Sequence, residues 1–138
     1  MRFSVHHVAI SVSSIERSTS FYQQFGFREV RRYDAPDGTM SVSHLLLDGM
    51  ILELFSYAEP APLPDAARAL STDLPEVGVK HFGMRVESVA DTLAEFITLG
   101  LCPATTTITA GRTGVDYFFI TDPDGILVEF LQDDREFD

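Results

Sequence analysis

The chain has 138 residues, 45% of them hydrophobic and 22% charged, enough to bury an ordinary core without disulfide or metal staples. A formal net charge of -11 and an isoelectric point near 4.6 argue against nucleic acid or an anionic membrane as partner. No apolar run approaches the roughly 20 residues that span a bilayer, the first residues lack a signal-peptide build, and the lone Cys102, expected to serve in packing, has no internal disulfide partner, so a cytoplasmic home is expected.

Alternation from Val5 to Val12 predicts a strand, with Val8, Ile10 and Val12 on one face and His7, Ala9 and Ser11 on the other. At Ser14 the spacing becomes helical, with Ile15, Thr19, Tyr22 and Phe25 near one side, until Gly26 stops it. Phe27 to Tyr33 reads as a strand, residues 34–38 as a turn, and Met40 to Leu47 as another strand. Asp48-Gly49 then gives a tight connection into a strand bearing Glu53. The stretch 58–75 turns to Pro and Ala, with room for a short helix over 65–70, and reads as a linker. Beyond it Val79 to Val86 predicts a strand, and Ser88 to Gly100 a capped helix. Strands are expected over 101–109, 115–121 and 126–131.

Both halves therefore read βαβββ, and the second repeats the first. His7 and His81 open equivalent strands 74 residues apart (7 to 81), as do the helix-stopping glycines Gly26 and Gly100. Each half also writes an Asp-Gly turn feeding an apolar strand with one acid in it: Asp48-Gly49-Met50-Ile51-Leu52-Glu53-Leu54 and Asp124-Gly125-Ile126-Leu127-Val128-Glu129-Phe130. A carboxylate among apolar neighbours needs a partner, because burying it unpaired costs several kcal/mol. A single histidine or glutamate in such a strand is ordinarily structural; four at duplicated positions point to a divalent transition metal with positions left open for substrate. His6 and His44 have no such duplicate and read as structural or exposed, with His6 the alternative ligand if the register slips by one.

These residues resemble the vicinal oxygen chelate superfamily, the group of glyoxalases, bleomycin-resistance proteins and extradiol dioxygenases. The likeness is carried in the first unit by His7-Val8-Ala9-Ile10, Ser20-Phe21-Tyr22 and Phe25-Gly26-Phe27. In the second it lies in His81-Phe82-Gly83-Met84-Arg85-Val86 and the run from Asp122-Pro123 to Glu129. The resemblance implies a single α+β domain over 1–138, with two tandem βαβββ modules (about 1–57 and 78–138, linker 58–77) forming an open cup-shaped eight-stranded sheet. It further implies a homodimer and a divalent metal (Ni, Co, Zn, Mn or Fe) on His7, Glu53, His81 and Glu129.

An acid at Glu53 as well as Glu129 is similar to the glyoxalase I-like branch. That branch implies a lyase or isomerase in which the metal acts as a Lewis acid on two vicinal oxygens and stabilises an enediolate, while Glu53 or Glu129 shuttles the proton. The positions that in that branch often hold glutathione are Ser11 and Tyr57 here, so that grip is not expected. Arg85 and Arg112 are the candidate clamps for an anionic substrate, and Ser11 is a further substrate-binding candidate. Phe55, Tyr57, Tyr117 and Phe119 are candidate aromatic walls. The alternatives are an extradiol-type dioxygenase or epimerase on the same scaffold, and a metal-free protein that sequesters an aromatic drug or natural product.

Overall fold

In the computed structural model, which describes residues 1–137, the chain divides into two units, 1–62 and 63 onward, each with its own four-stranded sheet. In the first, the alternating segment forms β1 (His7–Ser11), and Val8 and Ile10 turn inward while His7, Ala9 and Ser11 stay exposed. Ser14 Oγ accepts the Arg17 amide at 3.2 Å and caps α1 (Ile15–Gln23), and Gly26 at φ +98° turns the chain out of it. Ile15, Ser18 and Tyr22 form its buried stripe, one residue displaced from the expected Thr19.

β2 (Arg28–Asp34), β3 (Met40–Leu47) and β4 (Met50–Tyr57) follow, and the sheet order is β1-β4-β3-β2 with β1 parallel to β4. Asp48 and Gly49 both carry positive φ, 47° and 78°, the signature of the two-residue hairpin turn that suits twisted strands. The turn puts Leu47 opposite Met50 and fixes the register of everything beyond it. On β4, Leu52 and Leu54 are fully buried with Leu45, Tyr22, Ile15 and Phe27, so Glu53, Phe55 and Tyr57 face the other way.

The second unit begins with a 3-10 turn (Asp65–Arg68) and the one-turn α2 (Leu70–Asp73), broadly where a short helix was expected. β5 (Phe82–Arg85) is shorter than the predicted 79–86. Ser88 Oγ accepts the Asp91 amide at 3.2 Å and caps α3 (Val89–Thr98). The strand expected over 101–109 shrinks to β6 (Thr109–Ala110). Pro103 lacks an amide for a ladder, and its carbonyl instead accepts from Thr106 N at 3.0 Å, closing a turn. β7 (Asp116–Thr121) and β8 (Leu127–Gln132) complete the order β5-β8-β7-β6, with β5 parallel to β8 as β1 is to β4.

Asp122 sets the entry to β8: its buried Oδ1 accepts the amides of Asp124 and Ile126, each at 2.9 Å, and Gly125 takes φ +85°. The core beneath is aromatic, with Phe118 stacked on Phe130 and Phe96 edge-on to both. Among the described residues no helix is long and apolar enough to cross a membrane.

Candidate functional site

Strand pairing sets the first unit's candidate residues. Ala9 lies opposite Glu53 across β1 and β4, and His7 stands two residues before Ala9 on the same face. His7 Nε2 lies 3.8 Å from Glu53 Oε1, and the other ring nitrogen of His7 meets His6 Nδ1 at 2.9 Å. A histidine also reaches Glu53 from the far side: His44 on β3 is its cross-strand neighbour, and His44 Nε2 sits 2.5 Å from Glu53 Oε2. Both Glu53 oxygens thus face imidazoles.

The second unit repeats the arrangement in register. Gly83 lies opposite Glu129 across β5 and β8, and His81 stands two residues before Gly83. His81 Nε2 is 3.1 Å from Glu129 Oε2, and the side chains are 21% and 17% exposed. The position of His44 is taken here by Phe119, opposite Glu129 on β7, whose ring meets His81 edge-on at 4.8 Å. Among the described residues, His81 Nδ1 is buried without a hydrogen-bond partner. Gly83 makes room for the acid: a Cβ there would lie 2.9 Å from Leu131 Cδ2 and 3.3 Å from Glu129 Oε2. Gly83→Ala is therefore expected to displace the Glu129 carboxylate and weaken divalent-metal affinity by about tenfold, read by chelator competition on the purified protein.

The remaining candidates surround these pairs unevenly. Ser11 lies opposite Phe55 at the end of β1, on the exposed side. Tyr117 stands edge-on to Phe119 at 5.6 Å, extending an aromatic surface away from His81. Arg85 is exposed at the end of β5, opposite Leu131. Arg112 is exposed in its Gly-flanked loop, which Arg135 ties down through a 3.0 Å bond to the Thr113 carbonyl. Arg135 also grips Asp133 through two 2.8 Å contacts, and that hydrogen bonding holds the Asp133 carboxyl down at about 2.

Imidazole nitrogen and carboxylate oxygen are the mixed donors that first-row divalent metals accept. The 3.1 and 3.8 Å separations are those of two donors each about 2.1 Å from one ion, so each pair fits a metal. Neither pair completes a coordination sphere, and among the described residues no group of three or more His, Cys, Asp or Glu side chains is arranged to hold an ion. His44 was not legible as a partner of Glu53 from residue spacing alone. Its signal was the Asp48-Gly49 turn, since a two-residue hairpin pairing 47 with 50 necessarily pairs 44 with 53.

A histidine-glutamate pair repeated in register on two βαβββ sheets defines a scaffold built by duplication around a polar pair. The sequence model of the Glyoxalase/Bleomycin resistance protein/Dioxygenase superfamily matches residues 4–130, and the chain belongs to that superfamily. Among curated proteins it is 29% identical over 135 residues to the uncharacterized protein YwkD of Bacillus subtilis, covering 94% of this chain and 96% of that one. It is 26% identical over 134 residues to the Arabidopsis thaliana protein named Glyoxylase I 4, covering 95% of this chain and 71% of that protein. A solved glyoxalase family protein from Enterococcus faecalis superposes with a TM-score of 0.74 at 25% identity, covering 94% of this chain and 97% of the other.

Proposed function

We propose that the protein is a metal-dependent lyase or isomerase of the glyoxalase type, with His7, Glu53, His81 and Glu129 as its metal donors. The observation that carries this reading is the duplicated pair: in both units a histidine two residues before a small residue faces a glutamate across parallel strands. Similarity to a plant protein named as a glyoxalase supports the same class. When bound, the divalent metal, drawn from Ni, Co, Zn, Mn or Fe, supplies a Lewis acid for two neighbouring substrate oxygens.

The chain's own groups supply the rest. His7 and His81 offer imidazole nitrogens and Glu53 and Glu129 carboxylate oxygens, the mixed donor set that first-row divalent metals accept. Glu53 and Glu129 are 19% and 17% exposed, shielded enough from water for a carboxylate oxygen to take a proton from one substrate carbon and return it to the next. Phe55 and Tyr57 share the Glu53 face of β4, and Tyr117 and Phe119 the Glu129 face of β7, so the substrate's non-reacting part meets aromatic rings. With Ser11 and Tyr57 at the positions that in the glyoxalase I-like branch often hold glutathione, the substrate is a small α-hydroxycarbonyl or α-ketoacid-type compound, or its thiol adduct, not tied to glutathione. Arg85 and Arg112 are its candidate anion contacts, and the working form is a homodimer.

Elemental analysis of the purified, untagged protein tests the reading before any assay. About one Ni, Co or Zn per chain, followed by isomerisation of hemithioacetals of methylglyoxal with simple thiols, is the expected result. A protein that takes up none of Ni, Co, Zn, Mn and Fe on reconstitution overturns it.

A further inference from the structure

We infer that His44 is a positioning residue for Glu53: it holds one carboxylate oxygen so that the other alone is presented to a metal. The inference rests on the metal-site reading above. Glu53 Oε2 lies 2.5 Å from His44 Nε2, while Oε1 is the oxygen nearest His7, at 3.8 Å. The two oxygens are thus divided between two imidazoles. A carboxylate bound at one oxygen only can no longer rotate freely about its last torsion or swing to grip an ion with both oxygens.

The placement is rigid. His44 is mid-strand in β3, directly opposite Glu53 and in a register pinned by the Asp48-Gly49 turn four residues on. Its side chain is only 30% exposed, so the contact stands partly shielded from competing water. The second unit supplies the comparison. Phe119 occupies the place of His44 opposite Glu129, and it has no group to donate. The duplicated glutamates are therefore held differently: Glu53 is fixed through its second oxygen by His44, while Glu129, among the described residues, is reached by His81 and has a phenylalanine in the place of His44. This difference lies outside the repeat itself, in the residue that each second-from-edge strand happens to set beside the acid.

Cobalt(II) binding to the metal-stripped protein, measured by chelator competition and by the visible absorption of the bound ion, tests this. His44→Phe, which copies the second unit, is expected to lower affinity 10- to 100-fold with an unchanged spectrum and unchanged cobalt per chain at saturation. His44→Gln, which keeps an N–H donor, is expected to recover affinity to within about threefold. Should His44→Phe fail to fold, His44→Asn, whose amide is too short to reach Glu53, takes its place.

Equal affinity in wild type and His44→Phe overturns the inference while leaving the metal-site reading intact. So does a Gln variant as weak as the Phe variant with an altered spectrum, which would make His44 itself a ligand. Wild-type protein that binds no cobalt overturns both.

Discussion

Replacing His81 and Glu129 together with leucine should abolish metal binding and leave the metal-free protein as stable as wild type or more so. Wild type keeps two polar side chains largely out of solvent there, 21% and 17% exposed, with His81 Nδ1 buried and unpartnered among the described residues. A buried polar atom without a partner costs about 1–3 kcal/mol. Exchanging a buried pair for apolar residues of similar volume is neutral or stabilising by about 1–4 kcal/mol. The Phe119 ring at 4.8 Å and Leu131 beside Gly83 offer apolar surface for the new side chains. Differential scanning calorimetry in a chelator should show a midpoint unchanged or raised by several degrees, while metal affinity falls at least 100-fold. Single changes behave differently: His81→Ala or Glu129→Ala removes the metal and strands the other partner without its contact. Loss of more than about 2 kcal/mol in the double variant, on the scale of a damaged core, would show that the pair serves the fold and not a ligand.

The sequence made most of this architecture readable because the chain repeats itself. Ser14 and Ser88 announce helices, Gly26 and Gly100 end them, and the structure has its capped helices there. His7 and His81 stand in register with the two glutamates because parallel pairing of β1 with β4 and of β5 with β8 is the same in both units. The less legible features are those that no repeat encodes. The stretch 101–108 has strand composition, yet Pro103 and its turn divert the backbone, so local propensity yields to a missing amide. His44 has no twin, and its importance lies in pairing with Glu53 across a hairpin, a relation of register that residue type does not reveal. Likewise, nothing in the spelling of Gly83 announces that a side chain there would press on Glu129 and Leu131.

Phe130→Ala, one residue from Glu129, should have the opposite effect: severe loss of stability with metal affinity nearly intact. Neighbouring residues on a strand point to opposite faces, and Phe130 points into the core, 2% exposed. Its ring stacks on Phe118 at 5.5 Å and meets Phe96 edge-on at 4.8 Å. Truncating a buried phenylalanine costs about 3–5 kcal/mol, against a total stability of about 5–15 kcal/mol for a domain of ordinary size. Phe130→Leu, which refills most of the volume, should cost about 1.5 kcal/mol or less. Urea unfolding in a chelator reads both. The metal then separates the two faces of β8. An ion that binds only the folded chain adds about 4 kcal/mol at a thousandfold excess over its dissociation constant, so saturating metal should return Phe130→Ala close to the unfolding midpoint of metal-free wild type. The same metal should do nothing for the leucine double variant, whose core is whole and which keeps only two of the four donors. If metal fails to rescue Phe130→Ala, Glu129 depends on the core behind it, and function and stability are not divided between the faces of this strand.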